Sequence, residues 1–202
     1  MTWMKHKWLY IITAAVIAVV LYSSLYNPYT GPDAIPEPLQ INLAETELIT
    51  HQGLEGPVSL ELLASYDITA AVKRKQTYRT DYPSQISPVD LVLAWGQLNQ
   101  KEIDQHIRYS QSNRWYYYQY DAHTLVSSSY IAQNSANVHI IPSNNRVASQ
   151  IRRIRKNDTV RLTGYLVAAR FSEGAWVSSL SRHDTGDGSC EIIYVESVTK
   201  IR

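Results

Sequence analysis

Nineteen consecutive uncharged residues, at positions 8–26, dominate the hydropathy pattern of the chain. A helix of this length reaches about 28 Å, close to the ~30 Å thickness of the hydrocarbon core of a bilayer. Lys5 and Lys7 precede the run, and the next lysine or arginine is Lys73. The pattern predicts a transmembrane helix.

The charge distribution around this helix predicts its orientation. Residues 1–7 are expected to form a short cytoplasmic tail, and residues 27–202 are expected to lie on the extracytoplasmic (periplasmic) side of the membrane. A cleaved signal peptide is the alternative interpretation. The apolar stretch is long for a signal peptide, and no small-x-small cleavage site follows it.

The remaining chain divides by composition. Residues 27–57 contain four prolines in their first half and end in Gly56 and Pro57, which predicts a proline-rich spacer. Residues 58–202 are expected to form one extracytoplasmic domain, because a chain of this length can bury a core of its own.

Apolar periodicity within this domain predicts both strands and helices. Partial alternation predicts a strand over 58–78. Ser87 and Pro88 resemble a helix start, and apolar residues spaced as on one helical face predict a helix to Leu98, with a second short helix to about Ser110. A further helix is predicted over 146–156. The other predicted strands are 114–120, 125–131, 137–141, 159–169, 175–180 and 191–198.

This succession predicts an α+β fold. The transmembrane helix precedes one domain with a mostly antiparallel, barrel-like sheet and two or three short helices.

Composition narrows the function classes. The chain has 19 basic and 18 acidic residues. Without Lys5 and Lys7 the counts are 17 and 18, so the exported part is nearly neutral and a nucleic-acid partner is not expected. The single cysteine excludes an internal disulfide. No cofactor is expected.

Aromatic residues crowd the predicted strand 114–120, whose sequence is RWYYYQY. Strand alternation places Trp115 and Tyr117 on one face and Tyr116, Tyr118 and Tyr120 on the other. Aromatic side chains on both faces indicate either a strand covered twice or a face that serves as a stacking platform. On the second interpretation, Trp115 and Tyr117 are candidate binding residues.

The densest polar cluster lies in the segment 178–191, SSLSRHDTGDGSCE. Asp184 and Glu191 are candidate binding residues in this predicted loop. The tripeptide that begins at Asp184 resembles that of aspartic proteases, but its flanking residues differ from that family. The His, Cys, Asp and Glu side chains of the segment 178–191 could ligate a metal. They lack a paired CxxC or HxxxH spacing, however, and no metal site is predicted.

Cys190 supports an alternative, enzymatic hypothesis. A cysteine nucleophile needs a base, and His139, at the end of a predicted strand, is the best candidate. Arg182 completes the set of candidate catalytic residues. The order of anchor, His139, Cys190 and Arg202 is similar to that of sortase transpeptidases, although Cys190 precedes its strand here.

The segments SPVDLVLAWG, SANVHIIP and SSLSRHDTGDGSCEIIYVE, together with the N-terminal anchor, resemble a family of bacterial single-pass membrane proteins with no assigned activity. The resemblance implies an inner-membrane location and supplies no catalytic residues. We therefore expect a binding or assembly module of the cell envelope, which contacts the bilayer through residues 8–26. An envelope protein or a polysaccharide is its expected partner, and the alternative function is a cysteine-dependent transpeptidase or hydrolase.

The basic helix 146–156 is expected to be a solvated surface, or else to contact anionic lipid or polysaccharide.

Overall fold

A computed structural model describes residues 34–172, 174–184 and 189–201 of the chain. The predicted cytoplasmic tail, the predicted transmembrane helix over 8–26, the start of the spacer and Arg202 lie outside these residues. Asp33–Arg202 forms one compact unit. Within the described ranges, no helix has both the length and the apolar composition needed to cross a bilayer.

The described residues form nine strands and three short α-helices. The strands are β1 (Leu39–Gly53), β2 (Gly56–Thr77), β3 (Val89–Ala94), β4 (Ile107–Ser112), β5 (Trp115–Tyr120), β6 (Ser135–Pro142), β7 (Thr159–Phe171), β8 (Gly174–Val177) and β9 (Glu191–Lys200). The helices are α1 (Lys101–Asp104), α2 (Ser128–Gln133) and α3 (Asn145–Arg153). These elements confirm the predicted α+β class with a mostly antiparallel sheet.

Five strands close into a barrel. The seven-stranded sheet has the order β1-β2-β3-β6-β9-β7-β8. An additional pairing between β2 and β7 closes the ring β2-β3-β6-β9-β7 and leaves β1 and β8 outside it. Only the pair of β6 and β9 is parallel among these described ring pairings. Taken in chain order, the ring strands run 1-2-3-5-4, which is the strand order of the OB-fold, a five-stranded Greek-key barrel.

The long strand β2 organises the core. Its even-numbered residues from Val58 to Val72 are buried, as expected for a strand with one face in a core. The C-terminal part of this face fills the barrel with Leu91, Leu93 and Val138, among others. Its N-terminal part packs in a second cluster with Ile141 and Ile192.

The helix predicted from Ser87 to Leu98 is wrong, because Val89–Ala94 forms strand β3. All six residues of β3 are buried, and the strand pairs with β2 on one side and β6 on the other. A short apolar run buried on both faces satisfies helical spacing as well as strand spacing, so periodicity alone cannot separate the two. The second predicted helix exists only as the single turn α1.

Two further boundaries differ from the predictions. The strand predicted over 125–131 is wrong, since helix α2 begins at Ser128 with the Ser127 side chain accepting a hydrogen bond from the Tyr130 amide. The spacer predicted over 27–57 is not a spacer from Leu39 onward, because β1 pairs with β2. The proline signal ends at Pro38, and the less distinctive residues after it join the sheet.

Strands β4 and β5 form a separate hairpin inserted between β3 and β6. Ile103, Ile107 and Ile131 pack with Ala94, which lies on the outer face of β3. Asn113 and Arg114 form the turn of the hairpin with positive φ angles of 49° and 68°. The insertion therefore covers the outside of the barrel and directs its turn back toward the sheet.

Candidate functional site

A pocket of about 360 Å³ lies beside the hairpin, at the N-terminal end of β6. Three elements form its walls: strand β5, the junction of helix α2 with β6, and the segment that leads into β9. Its described lining residues are Trp95, Trp115, Tyr116, Tyr117, Tyr118, Ala132, Gln133, Ser135, Ala136, Ser181, Arg182, Asp184, Ser189, Cys190 and Glu191. We call this cavity the hairpin pocket.

Six of the seven candidate residues from the sequence line this pocket. They are Trp115, Tyr117, Arg182, Asp184, Cys190 and Glu191. The aromatic strand and the polar loop are about sixty residues apart in the chain, and no sequence pattern indicates that they lie together. The seventh candidate, His139, does not line the pocket among the described residues.

Strand β5 supplies an aromatic wall in two layers. Trp115 and Tyr117 are 36% and 54% exposed, respectively. The alternate residues are half-buried, and their hydroxyls donate to backbone oxygens: Tyr116 to Ser135 and Tyr118 to Ser128, each at 3.2 Å. The buried tyrosines thus fix the strand, while the outer side chains stay available for contact.

Glu191 lies in the deepest part of the polar wall. It pairs in parallel register with Val138, whose side chain is in the barrel core, so the carboxyl points toward the barrel interior. The residue is 5% exposed, and its Oε2 atom has no hydrogen-bond partner among the described residues. Burial raises the pKa of Glu191 to about 8, against the opposing effects of its own backbone amide and Arg182.

Two neighbours of Glu191 modify this environment. The guanidinium of Arg182 lies 5.8 Å from the ring centre of Tyr66, and its Nη2 atom donates to the Pro38 carbonyl at 3.2 Å. Burial, followed by the charge of Glu191, raises the pKa of Tyr66. The barrel end therefore holds a phenol, a guanidinium and a carboxyl that interact electrostatically.

Replacement of Glu191 by glutamine is expected to alter the pH dependence of stability. The folded protein retains the Glu191 proton up to a pKa of about 8, whereas the ordinary pKa is 4.5. Because the folded state binds this proton more tightly, the wild type loses stability as the pH rises from 4.5 to 8. Relative to Glu191→Gln, the loss should reach up to about 1.4 kcal/mol per pH unit, measured by urea unfolding between pH 5 and 8.

Asp67→Asn is the control for this titration. Its hydrogen bond with Arg161 lowers the pKa of Asp67, so its contribution changes only at more acidic pH. The difference between wild type and Asp67→Asn should stay constant from pH 5 to 8. An equally constant difference for Glu191→Gln would contradict the raised pKa.

Cys190 is half-buried, and its polar contact is the amide Nδ2 of Asn137 at 4.0 Å from Sγ. Burial, reinforced by the charge of Glu191, raises the pKa of this thiol to about 12. A cysteine nucleophile requires the opposite shift, because the thiolate is the reactive form.

His139 has a different neighbour. Its Nδ1 atom lies 2.9 Å from Oδ1 of Asp90, its cross-strand partner, and its ring packs 4.5 Å from that of Trp176. The structure thus places different polar side chains beside Cys190 and His139 and does not show the two as a nucleophile and its base.

Sequence reasoning missed the ion cluster around Arg114. Its guanidinium donates to both oxygens of Asp81, to Oδ1 of Asp90 and to the Ser87 carbonyl. It also stacks on Tyr78, with 3.8 Å from Cζ to the ring centre. Asp90 is fully buried. The sequence signal is an acidic residue inside the apolar run VDLVLA, which lies in the segment predicted as a helix.

Comparison with known protein families, curated proteins and solved structures found no match for this chain.

Proposed function

We propose that the protein is a membrane-anchored binding or assembly module of the cell envelope, and that it binds its ligand in the hairpin pocket. One observation carries the proposal: Trp115 and Tyr117 on one side and Asp184 and Glu191 on the other line one cavity. The apolar segment 8–26 supports the anchor, and the basic residues before it support an extracytoplasmic domain.

The dimensions and chemistry of the pocket favour a small ligand or a short segment of a larger partner. Ligand sites are typically cavities of about 300–1,000 Å³ with apolar and aromatic walls and few polar groups. Here an aromatic wall faces the buried carboxyl of Glu191, whose Oε2 atom lacks a hydrogen-bond partner among the described residues. A buried polar group without a partner is costly, and a ligand or water that pairs with it recovers that cost.

The outer face of β3 and β6 is a less suitable site. OB-fold barrels use this face to bind oligonucleotides and oligosaccharides. In this chain Arg114 covers Asp90 on β3, and Gln111 and the Arg114 carbonyl are hydrogen bonded to Asn137 on β6. Because the hairpin occupies this face, we place the proposed site in the hairpin pocket instead.

The binding proposal is preferred over the cysteine-dependent enzyme. The raised pKa of Cys190 disfavours a thiolate, and the Nδ1 atom of His139 faces Asp90 rather than a nucleophile. Cys190 then contributes to the pocket as a small neutral side chain.

Site-specific photo-crosslinking in intact cells tests the pocket. A photoreactive amino acid in place of Tyr117 should capture a ligand or partner that is absent from the matched control at Glu45, an exposed residue of β1. Adding Glu191→Gln should weaken the capture at Tyr117. Equal capture at both positions would contradict a specific pocket.

The location is tested separately by reporter fusions after Arg202. Alkaline phosphatase, which folds only outside the cytoplasm, should be active, and a fluorescent protein that matures only in the cytosol should stay dark. The reverse pattern would overturn the envelope location, whatever the crosslinking result.

A further inference from the structure

Basic residues are concentrated in two segments of the chain. Residues 73–80 and 144–157 contain nine of the 19 lysines and arginines and no acidic residue. Seven of the nine are exposed: Arg74, Arg79, Arg146, Arg152, Arg153, Arg155 and Lys156. None of these seven forms an ion pair within the described part of the chain.

The fold brings the two segments together. The ammonium of Lys75 donates to the carbonyls of Ile151, Arg152 and Ile154 at the end of helix α3, at 2.8–3.0 Å. The backbone amide of Asn157 donates to the Val72 carbonyl at 2.8 Å. The end of β2 and the end of α3 therefore form one surface, which we call the basic face.

Like charges on this face are close enough to interact. Burial, followed by the charge of Arg152, lowers the pKa of Lys75. Acids beside the two segments are already engaged: Asp158 pairs with Lys200, Asp104 pairs with Lys73, and Asp81 and Asp90 pair with Arg114. A nearly neutral domain thus keeps an unneutralised positive region, and such a region attracts an anionic partner.

The basic face also contains a groove of about 390 Å³ between β2, β3 and α3. Lys75, Arg79 and Arg152 line it, together with Thr77 and Tyr78. Lys75 contributes its charge alone, because its three N–H groups already donate to the carbonyls at the end of α3. The guanidiniums of Arg79 and Arg152 and the two hydroxyls match the chemistry of a phosphate group, whose oxygens accept charge-assisted hydrogen bonds.

We propose that the basic face docks onto the phosphate headgroups of an anionic phospholipid bilayer. Val147 and Ile151 bury the inner side of α3, so its arginines face outward together. Each exposed lysine or arginine near such a surface strengthens binding about five-fold.

The length of the preceding chain favours lipid over other polyanions. Seven residues, 27–33, lie between the apolar run and the first described residue. Even fully extended, they span at most about 25 Å, so the domain stays close to whichever bilayer holds the anchor. This step rests on the proposed membrane anchor, whereas the charge argument does not.

Vesicle co-sedimentation tests the proposal with residues 33–202, the compact unit that contains all described strands and core clusters. Omitting the apolar segment prevents its insertion into every vesicle. The domain should bind vesicles of equimolar phosphatidylcholine and phosphatidylglycerol but not pure phosphatidylcholine, and about 0.5 M salt should release it.

A matched pair of variants identifies the face. Arg152→Glu/Arg153→Glu should weaken binding to the anionic vesicles at least about 30-fold. Lys101→Glu/Arg108→Glu changes the net charge equally at exposed positions elsewhere and should stay within about three-fold of wild type. Circular dichroism confirms that both variants fold.

Three outcomes would overturn the proposal: equal losses in both variants, equal binding to neutral vesicles, or displacement from the vesicles by single-stranded DNA at equal phosphate concentration. The test is separate from that of the hairpin pocket, since neither variant alters a pocket residue.

Discussion

Replacing Arg114 by methionine should lower the free energy of unfolding by about 3–5 kcal/mol. The guanidinium is 14% exposed and contacts Asp90, whose side chain has no exposed surface, at 2.6 Å. Removal of one partner from a buried ion pair leaves the other charge without compensation. Methionine keeps much of the arginine volume, so the effect reports the charge and its hydrogen bonds more than the packing.

The predicted loss has a structural consequence as well. Arg114 is the residue that connects the hairpin turn to Asp81 and Asp90. Without its side chain, the hairpin keeps its contacts through Ile107 and Tyr118 and the backbone hydrogen bonds of residue 114 to Asn137 and Tyr78, but the turn loses its ion pairs with the sheet. Amide hydrogen exchange should therefore increase first at Asn113 and its neighbours, ahead of global unfolding.

Arg161→Met is the control for Arg114→Met. Arg161 also forms a two-pronged pair, with Asp67, but its side chain is 54% exposed. Exposed pairs typically contribute 0–1 kcal/mol, so urea unfolding should show a loss of about 1 kcal/mol or less. Similar losses in the two variants would contradict the importance of burial at Arg114.

The Arg114 cluster shows why sequence patterns predicted only part of this molecule. Strands with clear signals, such as β5, β6, β7 and β9, were predicted close to their observed positions. Asp90 lies in the segment predicted as a helix, because local spacing contains no information about a partner 24 residues away. Arg114 has an unusual φ of 68°, and an arginine gives no sequence signal for that conformation.

The candidate site is likewise predictable only in part from the sequence. Residue types identified Trp115, Tyr117, Asp184 and Glu191 as binding candidates, since exposed aromatics and clustered polar groups are visible in the sequence. Their meeting in one pocket depends on the parallel pairing of β6 with β9, which only the fold provides. The raised pKa of Glu191 likewise arises from burial, and a residue predicted to lie in a polar loop is not expected to be buried.

Replacement of Gly164 by alanine should destabilise the protein by about 4 kcal/mol. Gly164 lies in β7 at a shift in its register with β9, and its φ is +158°. A Cβ atom there would lie 1.9 Å from the carbonyl oxygen of Tyr194. Since that oxygen belongs to the backbone of a neighbouring barrel strand, the clash can be relieved only by moving the strand pair.

Gly174→Ala separates backbone strain from this clash. Gly174 has a comparable φ of +142°, but a Cβ atom there would meet nothing within 4 Å. We expect a loss of about 1–2 kcal/mol for this control, from strain alone. Both variants should be compared by urea unfolding and by thermal melting of the purified chain.

The difference between the two glycine variants is the informative quantity. An extra loss of about 2 kcal/mol or more at Gly164 would show that close approach of β7 to β9 is required for barrel closure. If Gly164→Ala proved no more damaging than Gly174→Ala, the two strands could separate locally at little cost. The barrel end that contains Glu191 would then tolerate far more movement than the register of β7 with β9 implies.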